Sequence, residues 1–221
     1  MIQNIEIIRR VSGPFNLNTY VLICKVSRES VIVDPGGPAQ SLVALIRKKN
    51  IIPLRILNTH GHADPVFSTL SFKKEFTVPS CLHGDDDDFF KDRTVQEKTR
   101  KAVGLSPPYP ADIRLADKDE IRFGKSCLTV IHTPGHTPGS ACFLCEGRLF
   151  TGDAIFVGEA GRTDLPGGDL PRLIESIRNR IIPLDKKTVI HPGHHQGEEF
   201  ESTLEREMTR NIYITDFITD Q

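Results

Sequence analysis

Residues 58–65 read NTHGHADP, directly after the short apolar run PLRIL at 53–57. That run reads as a strand feeding straight into the motif. His60 and His62 stand two apart, with Asp64 two further on. Side chains at that spacing share a face on a continuing strand, and just past a strand end they can grip one ion together. Pro65 follows, and PVFSTLSFKKEFT at 65–77 reads as a helix with proline at its first position. Asp64 would then also make a good N-cap. Strand, polar corner and helix together are the mark of an α/β sheet edge.

The same arrangement recurs along the chain. TVIHTPGHTPGS at 129–140 carries His132 and His136 past an apolar run, LFTGDAIF at 149–156 carries Asp153, and TVIHPGHH at 188–195 carries His191, His194 and His195. Each feature alone has a plain reading as a turn, a loop or a hydrogen-bonded surface histidine. Together, seven of the eight histidines fall at three strand ends beside two aspartates, and His83 is the exception. In α/β folds ligands bind outside the carboxyl ends of strands, so these ends are expected to meet. Imidazole and carboxylate are the ligand set of zinc, iron or manganese.

Around these motifs the chain alternates strands and helices. IEIIRRV, TYVLICKV and SVIVDPGG are strand-like runs, and PAQSLVALIRKKN at 38–50 has apolar residues at helical spacing with its basic residues near the end. EIRFG with CLTVIHT, and SACFLC with GRLFTG, read as hairpins around Gly124 and Gly147. DLPRLIESIRNRII and EFESTLEREMTRN read as helices, and DDDDFFKDRTVQEKTRKAVG at 85–104 as a solvent-facing helix plus loop. The acid run Asp85–Asp88 lacks the alternating spacing and glycine of a calcium loop. No linker interrupts the chain, so residues 1–221 are expected to form a single α/β domain of two similar halves, with helices outside two sheets.

Composition narrows the function. The 221 residues are 38% hydrophobic and 26% charged, with a formal net charge of -1. No polyelectrolyte signal points to nucleic acid or an anionic membrane, and no run approaches the roughly 20 apolar residues of a membrane span. MIQNIEIIRR is too short in apolar residues for a signal peptide, so a cytoplasmic location is expected. The five cysteines are an odd set without a disulfide framework, and Cys142 and Cys145, spaced CxxC, lie mid-strand away from any helix start that would activate a thiol.

THGHAD, HTPGHTPGS, TGDAIF, GRTDLPGGD and HPGH resemble, in this order, the motifs of the metallo-β-lactamase superfamily, most closely its short glyoxalase II-like hydrolases. The resemblance runs from VDPGG at 33–37 to the last PGH. It implies a four-layer αβ/βα sandwich with the site at one edge of two packed sheets. It also implies a first metal site of His60, His62 and His136, with Asp153 bridging to a second site of Asp64, Asp153, His194 and a histidine directly after Asp64. Here that last position is Pro65. One tightly bound zinc and a weakened second site are therefore expected, with iron or manganese as other metals. His195 is not expected to substitute, because neighbours in a strand point opposite ways. Glyoxalase II itself resembles this chain but adds a C-terminal helical region that holds glutathione; only a short tail follows HPGH here, so that grip does not carry over.

The resemblance implies a metal-dependent hydrolase of a small-molecule thioester, with Asp64 orienting the metal-bound water and taking its proton. A thiol leaves easily, so no strong general acid is required. The rival is a mononuclear iron persulfide dioxygenase, which the motifs also resemble and which would use His60, His136 and Asp153. A third reading is a degenerate member that binds metal without turnover. Arg162 and Asp164 are expected to lock a loop near the site more than to touch substrate. The sequence leaves the oligomeric state open.

Overall fold

A computed structural model describes residues 4–12, 16–103, 110–194 and 199–219. Two six-stranded mixed sheets face each other. The first contains β1 (Ile5–Ser12), β2 (Leu17–Cys24), β3 (Glu29–Val33), β4 (Ile52–Leu57), β5 (Ser80–His83) and β6 (Ile113–Leu115), side by side in that order. β1, β2 and β3 pair antiparallel, and β3 to β6 run parallel. The second holds β7 (Glu120–Phe123), β8 (Ser126–His132), β9 (Ala141–Cys145), β10 (Arg148–Gly152), β11 (Val189–Pro192) and β12 (Ser202–Thr203), again in sequential order. The turn from β9 to β10 places Glu146 at φ 47° and Gly147 at φ 74°, the left-handed pair that a tight hairpin demands.

Helices cover both outer faces: α1 (Ala39–Lys48), α2 (Ala63–Val66), α3 (Thr69–Phe76), α4 (Gly84–Phe89) and α5 (Arg93–Val103) from the first half, and α6 (Leu170–Ser176), α7 (Leu204–Arg210) and α8 (Ile212–Ile214) from the second. All eight residues of β2 are buried. Alternate side chains go to different layers, as the pleat requires. Tyr20 and Leu22 pack between the sheets with Val33, Leu128, Phe143 and Phe150. Val21 and Ile23 pack outward with Leu42, Ile46 and Phe72. On the far side Leu149 and Ile190 meet Leu173, Ile177 and Leu204. Three apolar layers between four structural layers make the expected αβ/βα sandwich.

Several local expectations change. The helix after the histidine motif begins at Ala63 with His62 as its N-cap, so Pro65 is its third residue and Asp64 is not the cap. Proline is tolerated there because the first four N–H groups of a helix lack intrahelical partners. The helix stops after Val66 and restarts as α3, so the 65–77 stretch is not continuous. The acid run is not solvated throughout: Asp86 and Asp87 are buried. The 169–182 helix ends in a π-helical turn over Ile177–Ile181, and the 199–211 segment spends two residues on edge strand β12 before α7 begins. β6 is an edge strand in a stretch where no strand was expected. Among the described residues no helix is long and apolar enough to cross a membrane.

Candidate metal centre

The corner after β4 is held from below. Asp34, at the end of β3, accepts hydrogen bonds from the Thr59 amide (2.8 Å) and hydroxyl (2.7 Å). The hydroxyl, spent as a donor, lies 3.1 Å from Nδ1 of His60. It can only accept there, so His60 carries its proton on Nδ1 and directs the Nε2 lone pair outward. That Nε2 is buried and has no hydrogen-bond partner among the described residues. His136 is set the same way: its Nδ1 lies 2.7 Å from the carbonyl oxygen of Arg162 and donates to it, freeing Nε2. The freed atom lies 2.8 Å from Nδ1 of His62.

The three rings of His60, His62 and His136 stand nearly perpendicular to one another, with centroids 4.6 to 5.0 Å apart. One candidate ligand atom from each lies within 4.8 Å of the others. Burial, helped by the neighbouring His136, pushes the His62 ring down to about 3 and His60 well below the usual histidine range. Both stay neutral at physiological pH, the form that ligates metals.

A second group adjoins the first. Oδ2 of Asp153 lies 3.5 Å from Nε2 of His136 and 3.5 Å from Nε2 of His194, and the latter lies 3.2 Å from Oδ2 of Asp64. Oδ1 of Asp153 is buried and without a hydrogen-bond partner among the described residues. Burial alone would raise the Asp64 carboxyl, but the hydrogen bond and charge of His194, with His62 behind them, hold it below the ordinary range. The orphaned Nε2 atoms of the neutral His60 and His62 rings, with His136 against them and carboxylates that share His194, fit a metal site. Buried polar atoms without a protein partner call for an explanation, and a metal ion is one.

Asp86 is the residue the sequence reading missed. Its carboxylate accepts from the Gly61 amide (2.7 Å), the Thr137 hydroxyl (2.7 Å) and the Gly139 amide (2.6 Å). It thereby ties the His60–His62 corner to the His136 loop. Burial raises its carboxyl against the pull of these donors. Gly139 is needed for the approach, since a Cβ there would sit 2.4 Å from the Asp86 amide nitrogen. The one available signal was topological: α4 starts at Gly84, straight off β5, at the same sheet edge as the histidines.

Not every histidine joins. His132 stacks on His83, with centroids 4.0 Å apart and planes 11° from parallel. Lone pairs in parallel planes do not converge on one ion, and His132 Nε2 already lies 2.9 Å from the Pro138 carbonyl. These two form their own cluster with Asp85. His191 is buried against Phe150, away from the centre. His195 lies outside the described residues. Arg162 and Asp164 form a two-pronged exposed ion pair at 2.6 Å; Arg162 also lines the cavity over the centre, and its backbone carbonyl orients His136. Cys142 is buried and its thiol is pushed up to about 12 by burial, in keeping with core filler. Over the centre opens a cavity of about 410 Å³ with His62, Asp64, His136, Asp153 and His194 at its floor.

A profile described as the metallo-beta-lactamase superfamily matches residues 12–198. The chain belongs to the metallo-β-lactamase superfamily. It is 32% identical over 194 residues to hydroxyacylglutathione hydrolase GloC of Haemophilus influenzae, covering 86% of this chain and 90% of that protein. Its fold superposes on the BLEG-1 B3 metallo-beta-lactamase with a TM-score of 0.85 and 34% identity, covering 95% of this chain and all of that one. TTHA1623 in a di-iron-bound form gives a TM-score of 0.77 and 32% identity over 92% of this chain and 98% of that one. As a metallo-β-lactamase superfamily member, the chain places its cluster of metal-competent side chains at the carboxyl edge of both sheets, where four strand ends converge.

Proposed function

We propose that this protein is a metal-dependent thioester hydrolase acting on a small-molecule substrate such as a hydroxyacyl-glutathione. The carrying observation is the three mutually perpendicular imidazoles of His60, His62 and His136 on a cavity floor beside the ionised Asp64. These three residues would hold a first metal ion, zinc in our reading, with Asp153 shared toward a weaker second position at Asp64 and His194. A metal bound there supplies Lewis acidity and a water that ionises near pH 7. Asp64 would orient the attacking water and accept its proton; His194, at 3.2 Å, keeps the carboxylate ionised and aimed. The leaving thiolate needs no protonation, since a thiol has a pKa of about 8.5.

The identity with a named hydroxyacylglutathione hydrolase supports the thioester reading. The run DLPGGD at 164–169 supports it over the iron dioxygenase, because that continuation resembles the hydrolase group. Near-neutral charge supports a substrate that is neither nucleic acid nor membrane, and five cysteines without a disulfide support a cytoplasmic setting. The test is a thioester panel run beside oxygen uptake with glutathione persulfide, with elemental analysis of the same preparation. Thioester turnover with zinc and no oxygen uptake is expected. Persulfide-dependent oxygen uptake by an iron-loaded protein would overturn the hydrolase assignment, and metal without either turnover would point to the degenerate member.

A further inference from the structure

On the side of the sandwich where the edge strands β1 and β12 lie, the inner faces of the two sheets turn polar. Ile5 and Ile7 of β1 pack into the inter-sheet core with Tyr20 and Phe150. Arg9 takes the next inward position, since alternate residues of a strand share a face. On the opposing sheet Arg148 shares a face with Phe150 of β10, and Val189 with His191 of β11, while Leu149 and Ile190 point outward. With Phe200 and Glu201, just before β12, these side chains line a cavity of about 300 Å³. Among the described residues it shares no lining with the cavity over the metal centre.

The lining suits an anion. Two half-buried arginines face one acid, Glu201, whose side chain is 62% exposed and whose Oε2 lies 3.5 Å from Nδ1 of His191. Like charges in a partly desolvated cavity repel, and an anion between them relieves the repulsion. The arginine charge is felt inside: it adds to burial in holding the His191 ring down to about 4. Arg9 is already in place. Its guanidinium carbon lies 3.7 Å over the centre of the Phe200 ring, and one N–H donates to Oδ1 of Asn18 at 3.3 Å. A guanidinium carries five donors in a fork that matches a carboxylate, so a further pair can serve a ligand. Nε2 of His191 is buried and has no hydrogen-bond partner among the described residues, so the protein's own groups leave this polar cluster incomplete. The Tyr20 hydroxyl, by contrast, is spent on the Pro192 carbonyl at 2.8 Å. Ile7, Val189 and Phe200 supply the apolar remainder of the wall.

We propose that this cavity, on the flank of the sandwich, binds a short aliphatic carboxylate: Arg9 and Arg148 hold the anion, and Ile7, Val189 and Phe200 hold its chain. Glu201 stands at the same place as a competing carboxylate and weakens the site.

The test titrates sodium hexanoate, hexylamine hydrochloride and inorganic phosphate into wild type, Arg9→Gln, Arg148→Gln and Glu201→Gln by calorimetry at constant ionic strength. Wild type is expected to bind hexanoate with a Kd of about 1 mM or tighter, and hexylamine and phosphate at least about tenfold more weakly. Each arginine variant should lose at least about tenfold in hexanoate affinity, the scale of a charge-assisted hydrogen bond. Glu201→Gln should bind hexanoate more tightly. In NMR spectra the His191 ring signals, identified by their loss in His191→Leu, should move as hexanoate is added. No saturable hexanoate binding up to about 20 mM overturns the inference. So does full affinity in both arginine variants, which would put the hexanoate elsewhere, the metal centre included. Equal binding of hexylamine would leave only an apolar surface, and tighter binding of phosphate would overturn the carboxylate class. If the arginine variants fail to fold, the exposed Glu201 and the His191 signals decide: unchanged affinity in Glu201→Gln with unmoved His191 signals overturns the site.

Discussion

The Asp86 carboxylate accepts a 2.7 Å hydrogen bond from the hydroxyl of Thr137, the residue directly after His136. The same carboxylate holds Gly61, which lies between His60 and His62. Two loops that are 74 residues apart, measured from His62 to His136, are therefore set in register by one buried anion. Asp86→Ala leaves the Gly61 and Gly139 amides buried without their acceptor, each costing about 1–3 kcal/mol, while the Thr137 hydroxyl keeps Ser140. A loss of at least about 2 kcal/mol in urea unfolding is expected, together with reduced metal content. Asp86→Asn, which keeps an acceptor but exchanges the other for a donor, should fall between. Wild-type stability and metal content in Asp86→Ala would show that the loops hold themselves.

The sequence carried the layered fold because strand periodicity and helix spacing are local signals, and β2 to β4 show them plainly. It carried the centre because the histidines and aspartates sit at strand ends, where topology brings them together. It failed where the deciding interaction was tertiary. Asp86 looks like any other member of an acid run until α4 turns it under the glycines of two distant loops. Only the resemblance separated His136 from His132 in HTPGH; the physical reason, the stacking of His132 on His83 and its contact with Pro138, is tertiary.

Asp64→Asn should leave the three-histidine position filled and remove most hydrolysis. The asparagine keeps the shape and can still meet His194, but it cannot take a proton. A loss of at least about hundredfold in kcat is expected, the usual scale for a general base, with metal per chain near the wild-type value. Turnover close to wild type would reduce Asp64 to a structural residue at the start of α2.

His191 predicts an acid sensitivity independent of the metal. Burial first, then the charges of Arg148 and Arg9, push its ring down to about 4. The unfolded chain takes up this proton near pH 6.5. Above that value neither state binds it, so stability is unaffected. As pH falls from about 6.5 toward about 4 the unfolded state gains protons that the folded state does not, and stability drops by on the order of 3 kcal/mol. In chelator-treated protein, His191→Leu should flatten this part of the curve of urea midpoint against pH. Equal slopes for the two proteins between pH 6.5 and 4 would assign the acid sensitivity elsewhere.

Pro65→His tests the second metal position directly. Asp64 and Asp153 each lie within 3.5 Å of the His194 Nε2 atom, which gives three donors in one place. A closed tetrahedral site wants four, so wild type should hold about one tightly bound metal per chain after extensive dialysis and the variant closer to two. The backbone permits the change. Position 65 is the third residue of α2, and an N–H restored there joins the first four of the helix, which have no intrahelical acceptor to find. Histidine loses the fixed φ of proline, a loss of about 1 kcal/mol or less through the unfolded state, too small to mask a gain in metal. Metal per chain should be measured for both proteins, with zinc and then with manganese. Two tightly held ions in the wild type would show that Pro65 does not weaken the second position. One ion in both would show that a missing nitrogen was not the limiting feature of the second position.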